Sequence, residues 1–279
     1  MALRWLQIKH LDWLRCNIYI LPMQTHEIKD DKLSLDATIE AVITTLKQKH
    51  PNITGHHLDI GSGTGNLIRR VSQEFRVESR ALDYTDEFME LPHIQVDVVD
   101  LNDGRLPYPD HSFDLVTFTE VAEHLENYRA IVREIHRILK PGGVVVITTP
   151  NVLNMKSRMR FLTTGFWSMF GPLHVGETSI ESTGGHITPI PYPYLAHALM
   201  NSGFSLPELS TDKMQFPSLY WFILLFIPIR IIAAMTWKKE RNKYKTIDQF
   251  NAPIVREINT PAMLLGRSIV VIAMKPAEE

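Results

Sequence analysis

The sequence predicts a doubly wound α/β architecture: a mostly parallel seven-stranded sheet with an apolar insertion before its last strand. Three observations carry this. Short strand patterns alternate with helical patterns from residue 56 onward. Runs such as Val144-Val145-Val146-Ile147 are apolar at every position, so both faces of the strand must be covered, as in a parallel sheet. A strand pattern also runs into three alternating glycines and then a helix.

The elements follow in order. Residues 1–32 form an N-terminal apolar segment in which Trp5, Leu6, Ile8, Leu11, Trp13 and Leu14 suit a short amphipathic helix. Arg4, Lys9, Asp12 and Arg15 interrupt it, so it does not read as a secretory signal. From Leu33 to Gln48 the residues Leu35, Ile39, Val42, Ile43 and Leu46 recur at helical spacing, with Ser34 as the expected N-cap. Strands are expected at 56–60, 77–84, 94–100, 113–119, 144–149, 206–211 and 268–274, and helices at 66–75, 128–139 and 194–201. Pro141-Gly142-Gly143 reads as a turn, and 152–189 as a loop or cap on the substrate side. The expected division is a main domain of residues 33–211 and 265–279, with an insertion at 212–264.

Composition narrows the function classes. The 279 residues carry 29 Lys and Arg against 31 Asp and Glu, a formal charge of −2. That balance argues against a protein built to grip nucleic acid. The single cysteine, Cys16, excludes an internal disulfide and a Cys-based zinc site, and points to a reducing compartment. The expected location is cytoplasmic, on the inner face of a membrane if the insertion touches lipid.

The informative segment is His57-Leu-Asp-Ile-Gly-Ser-Gly-Thr-Gly-Asn66. Each glycine removes a Cβ where the backbone must turn sharply and approach a ligand. The helix that follows presents free N–H groups. A dinucleotide site wants G-x-G-x-x-G, whereas Gly61, Gly63 and Gly65 give G-x-G-x-G, so the pyrophosphate pattern fails by one position. Asp83, at the end of the second strand, can accept both hydroxyls of a ribose.

These residues resemble the class I S-adenosylmethionine-dependent methyltransferases. LDIGSGTGN is similar to that family's first motif, VDLNDGRLPYPDHSFDLV (99–116) to its segment leading into the fourth strand, and ILKPGGVVVITTPN (138–151) to its later Pro-Gly-Gly turn and fifth strand. GGHITPIPYPYLAHALMNSGF (184–204) resembles the family's late helix. The D-L-N-x-G and T-P-N stretches look most like the methionine-biosynthesis W-type branch. The resemblance implies S-adenosylmethionine as cofactor. It places Gly61, Ser62, Gly63 and Gly65 along the methionine part, Asp59 near the ammonium, Asp83 on the ribose, and Asp100 with Leu101 at the adenine. Asp97 competes with Asp100 for that last place. Asp59 could equally cap the glycine turn.

Methyl transfer needs in-line placement above all, and a base only if the acceptor must lose a proton. Glu120-Val-Ala-Glu-His124, just past the fourth strand, holds the candidates. Read as a helical turn, it puts Glu120, Glu123 and His124 on one face. His124, with Glu123, is the candidate catalytic pair, and Glu120 is expected to touch the cofactor. The same three side chains suit a Mg, Mn or Zn ion. E-x-x-E-H also resembles the matching stretch of ubiquinone-pathway O-methyltransferases. Helix capping and solvation is the plainer reading. His174, His186, Tyr192 and Tyr194 lie in the cap region, where any could touch substrate.

Residues 217–235, PSLYWFILLFIPIRIIAAM, are followed by Lys238, Lys239, Arg241, Lys243 and Lys245. Apolar and aromatic residues with a basic flank suit a membrane interface. Pro228 and Arg230 favour an interfacial or hairpin-like dip over a full span. A helix buried on the body or on a second copy is the alternative. The expected function is methyl transfer, at oxygen, to a small or lipid-like acceptor, with peripheral membrane contact through 217–245. The alternatives are a cofactor-binding but non-catalytic partner protein and a nicotinamide-dependent oxidoreductase.

Overall fold

Seven strands in the order β3-β2-β1-β4-β5-β7-β6 make one sheet. The computed structural model describes residues 28–173 and 186–277. The readings for the N-terminal segment up to residue 27 and for His174 lie outside the described residues. The strands are β1 (Thr54–Ile60), β2 (Arg76–Asp83), β3 (Val96–Val98), β4 (Phe113–Thr119), β5 (Leu139–Pro150), β6 (Glu208–Thr211) and β7 (Ser268–Met274). β1 to β5 pair in parallel, while β7 runs antiparallel to both β5 and β6. Thr211 pairs with Ile269, and Ile269 with Thr149, so β6 ends at the same sheet edge as β5.

The helices are α1 (Ile28–Lys49), α2 (Asn66–Glu74), α3 (Tyr128–Ile138), α4 (Met155–Thr164), α5 (Tyr192–Asn201), α6 (Phe216–Lys239), α7 (Ala252–Glu257) and α8 (Pro261–Leu265). On one face Ile39, Val42 and Leu46 of α1 and Leu67 and Val71 of α2 pack on Leu115, Val144, Val146 and Val270. On the other, Ile131 and Ile135 of α3 and Leu195 and Leu199 of α5 pack on Leu58, Val116, Val145 and Ile147. Alternation along β4 and β5 supplies both sets, which is why those strands read as continuously apolar. Each such side chain contributes about 1.5–3 kcal/mol on burial.

Several expectations are corrected. α1 begins at Ile28, so Ser34 lies inside it and does not cap it. β3 keeps only three residues, because the chain leaves Asp100 to start a 3₁₀ turn at Leu101–Asp103. Pro141-Gly142-Gly143 lies inside β5 but bends it as a bulge: Leu139 pairs with Phe113 and Val144 with Leu115, and Gly142 takes a left-handed φ of 81°. The Gly142 N–H donates to the Lys275 carbonyl (2.8 Å) and the Gly143 carbonyl accepts from the Lys275 N–H (2.8 Å), which ties the bulge to the end of β7. Residues 155–164, expected as loop, form α4, capped by Asn154 accepting from the Ser157 N–H. The apolar segment is one continuous helix and not a hairpin, with Pro228 inside it.

Candidate functional site

Four strand exits converge on one cavity at the carboxyl edge of the sheet. After β1 the chain turns through Gly61 (φ 75°), Gly63 (φ 48°) and Gly65 (φ 81°). A Cβ on Gly61 would stand 2.1 Å from the Val121 side chain, whereas one on Gly63 would meet open space. Glycine is therefore required at the first position for packing as well as for φ. The turn is tied to β2: the Gly61 N–H donates to the Leu82 carbonyl (2.8 Å) and the Gly63 N–H to the Asp83 carboxylate (2.8 Å). The other Asp83 oxygen accepts from the Tyr84 N–H at 2.7 Å.

Behind the turn lies a buried polar relay. His57 is fully buried between the hydroxyls of Ser79 (3.0 Å) and Thr117 (2.8 Å), and the Thr117 hydroxyl donates to the Asp59 carboxylate at 2.7 Å. Burial drives the His57 imidazole down to about 3, so it is neutral. Burial raises Asp59 to about 7, against the Thr117 bond and with help from the Asp83 charge.

After β3, the Asp100 carboxylate caps the 3₁₀ turn by accepting from the Asn102 N–H (2.9 Å). Asp97, the competitor, is occupied elsewhere, since the Tyr108 hydroxyl donates to it at 2.6 Å. Asp100 lines the cavity and Asp97 does not.

After β4, Glu120 takes a left-handed φ of 53°. Its N–H donates to Thr148, whose hydroxyl donates back to the Glu120 carboxylate at 2.9 Å. Ala122–His124 form a single 3₁₀ turn, so the three side chains do not share an α-helical face. Glu123 is fully buried, and its carboxylate oxygens make no well-formed hydrogen bond among the described residues. Burial, then the Glu120 charge, pushes Glu123 well above the usual carboxylate range. Burial raises Glu120 as well. The Glu123 carbonyl accepts from the N–H groups of Ile187 and Thr188 (3.0 and 2.9 Å), which brings the His186 ring to 4.8 Å from that of His124. Burial lowers His186 to about 4. Ligand atoms of Glu123, His124 and His186 lie within 4.8 Å of one another, so His186 stands where the sequence suggested Glu120.

The cavity encloses about 270 Å³. Gly61, Asp83, Asp100, Leu101, Glu120 and His124 line it, together with Tyr84, Val99, Asn102, Val121 and Leu125, which sequence reasoning did not single out. Asp59, Ser62, Gly63, Gly65 and Glu123 do not line it. Tyr84 and Val121 were legible in principle, as direct neighbours of Asp83 and Glu120. A larger cleft of about 450 Å³ sits at the opposite sheet edge, around Thr54 and Gly143. Its Asp114 is already paired with Lys140 at 2.7 Å, and no strand exit delivers a glycine turn there.

A glycine turn, an acid after β2 and an acid after β3 around one cavity at the carboxyl edge define a nucleotide-cofactor-binding doubly wound protein. Comparison with known proteins narrows the class. A family model described as a methyltransferase domain matches residues 58–147. A demethylmenaquinone methyltransferase of Symbiobacterium thermophilum is 28% identical over 64% of this chain and 75% of its own. A ubiquinone/menaquinone biosynthesis C-methyltransferase of Pseudoalteromonas translucida is 30% identical over 33% of this chain, and the match spans only 42% of that relative. A SAM-dependent methyltransferase from Archaeoglobus fulgidus superposes with a TM-score of 0.54 at 16% identity, over 88% of this chain and 99% of that one. One from Mesorhizobium loti superposes at 0.51 and 16%, over 85% and 99%. Residues 58–147 thus match a methyltransferase domain, and the fold is that of S-adenosylmethionine-dependent methyltransferases.

Proposed function

We propose that the cavity seats S-adenosylmethionine and that the chain methylates a small lipid-like acceptor, an apolar hydroxylated ring, at oxygen. The residues present fit the cofactor. Gly63 leaves open space where a Cβ would stand, and the buried Ser62 hydroxyl has no hydrogen-bond partner among the described residues. In this reading Asp83 accepts from the ribose, and Asp100 and the Leu101 backbone meet the adenine between the apolar walls of Val99, Val121 and Leu125. Gly61–Gly65 lie along the methionine part, with Asp59 behind them. Glu120 closes the cofactor's edge.

The cofactor supplies an electrophilic methyl on a sulfonium. This chain's residues hold the acceptor in line and exclude water. His124, on the cavity wall, would take the proton of an acceptor hydroxyl held there, while the cofactor would supply the methyl group. Glu123 is buried next to His124 in the chain, its carboxyl raised well above the usual carboxylate range by burial and then by the Glu120 charge, and in this reading it is a positioning residue. Support for the acceptor class comes from the relatives, which are named as menaquinone- and ubiquinone-pathway methyltransferases. One of them is named a C-methyltransferase, which makes ring carbon the competing site.

The observation that carries this reading is Asp83 on the cavity wall with its carboxylate fixed by two backbone N–H groups. Calorimetry with S-adenosylhomocysteine and with NADH tests it. The first binds and the second does not; the reverse result overturns it. Mass spectrometry of a short-tailed quinol incubated with labelled cofactor then assigns the methylated atom.

A further inference from the structure

The exposed face of α6 has no role in the cavity, and its chemistry is specific. Phe216, Tyr220, Ile223, Leu224, Ile227 and Ile231 all face out, with Ile223 74% exposed and Ile227 63%. At about 100° per residue these six positions span about 100° of the helix circumference, and the equally exposed Met235 and Ile232 widen the face to about half. α4 packs along the other side. An unbroken apolar face of this kind marks an interaction surface.

Charge selects the partner. Between residues 216 and 245 there are six basic residues and a single acid, Glu240, and five of the bases fall at 238–245. Trp237 and Tyr244 stand among them. Apolar side chains ending in aromatic and basic ones match the acyl, interfacial and anionic layers of a lipid leaflet. A second copy seated on this face would bring the same basic cluster with it.

The helix has the length to cross a bilayer, about 36 Å for its 24 residues. The fold forbids that, because both ends are fastened to one body. At the start, the Gln215 N–H donates to the Leu265 carbonyl (2.7 Å), and the buried Ser218 hydroxyl accepts from the Lys156 N–H (3.1 Å). Past the far end, Ile247 is buried and Ile254 sits in the main core. The Arg158 guanidinium of α4 holds the Ile258 carbonyl and the Asn259 side chain at 2.7 and 2.8 Å.

We propose that α6 is a monotopic lipid-docking helix that lies in the plane of an anionic membrane, with the body standing where an amphipathic helix carries its polar face. β6 ends at the carboxyl edge of the sheet, so α6 leaves from the same edge that holds the cavity. A docked molecule therefore presents its site to acceptors dissolved in the leaflet. That last link rests on reading the cavity as the methyl-transfer site; the docking itself does not.

Vesicle flotation of the full chain tests it, with phosphatidylcholine alone and with added phosphatidylglycerol. The wild type floats with the anionic vesicles. Ile223→Asp with Ile227→Asp removes flotation, and each change of Lys238, Lys239 or Arg241 to Gln weakens it about fivefold. Alkaline carbonate releases the bound protein. Wild type left in the lipid-free fraction overturns the docking, as does a lipid-independent dimer that the Asp variant splits. Resistance to carbonate overturns the in-plane placement. Calorimetry with S-adenosylhomocysteine on the Asp variant is expected to match wild type; joint loss with both proteins would sink the cofactor reading and leave the flotation result standing.

Discussion

The Gly61–Gly65 turn and the α6 helix leave the same edge of one sheet, yet they are built on opposite terms. In the turn the N–H groups of Gly61, Ser62, Gly63 and Gly65 are all bonded, and a single added methyl at Gly61 would strike Val121. On α6 the packing is one-sided and half of the surface waits for something apolar. A precise polar cradle must be made by the protein itself, because a misplaced donor costs the full desolvation of its partner. An apolar face needs only an apolar phase. The contrast teaches that substitutions at the turn will act on folding and ligand together, while substitutions on the exposed face of α6 will act on neither.

The sharpest way to break that contrast is Gly61→Val. The left-handed φ and the contact with Val121 both oppose a side chain, so we expect a loss of several kcal/mol by thermal denaturation, ~3 or more. Binding of S-adenosylhomocysteine should disappear with it. A variant that melts like wild type would mean that the turn is looser than its hydrogen bonds imply.

Asp83→Ala comes next. It removes an acceptor from two backbone N–H groups and, on the proposed reading, from the cofactor's ribose. Hydrogen bonds to a charged group are worth about 1.5–3 kcal/mol, so affinity for S-adenosylhomocysteine should fall roughly 10- to 100-fold in a calorimeter. Unchanged affinity would move the ribose elsewhere.

How far each region could be read beforehand follows from the same difference. The strand–helix alternation, the glycine spacing and Asp83 are local signals, so β1, β2, β4 and β7 and the acid after β2 were all legible. The D-L-N-x-G context drew attention to Asp100, which lines the cavity, whereas the Tyr108 hydroxyl on Asp97 is a contact that no local pattern announces. The Glu120–His124 stretch misled because E-x-x-E-H looks helical, while the reciprocal Glu120–Thr148 bonds bend the chain to a left-handed φ and leave only a 3₁₀ turn. His186 reaches His124 through backbone bonds to Glu123 across more than sixty residues, for which no spacing rule exists. The hairpin reading of α6 failed because Pro228 was weighted as a breaker, whereas the helix continues through it.

The buried relay sharpens the comparison through pH. Asp59 is raised to about 7 in the fold against about 3.9 in an unfolded chain. The folded state therefore holds a proton that the unfolded state has lost between those values, and this group's contribution falls as pH rises from about 4 to about 7. His57, lowered to about 3 from about 6.5, does the opposite over an overlapping range: its contribution is present above 6.5 and lost as pH falls toward 3. The wild type should show a muted slope because the two oppose. Asp59→Asn keeps the bond from Thr117 and removes one titration, so its stability should climb with pH between 4 and 6.5, and its gap to wild type should widen up to about pH 7. Parallel denaturation curves at pH 5 and 7 would show that Asp59 ionises normally.

The smallest expected effect lies on the other side of the comparison. Ile227→Ser on α6 removes an apolar side chain that is 63% exposed and touches no core cluster. Surface changes of this kind stay within about ±0.5 kcal/mol, so the denaturation midpoint should not move. The same substitution inside β4, at Val116, would delete a buried branched side chain and cost on the order of 2–4 kcal/mol. The two isolated substitutions thus separate a face that the fold needs from one that it only carries. If Ile227→Ser destabilises as much as the Val116 change, α6 is packed against protein in solution, and its apolar side belongs to the molecule's own interior or to a second copy.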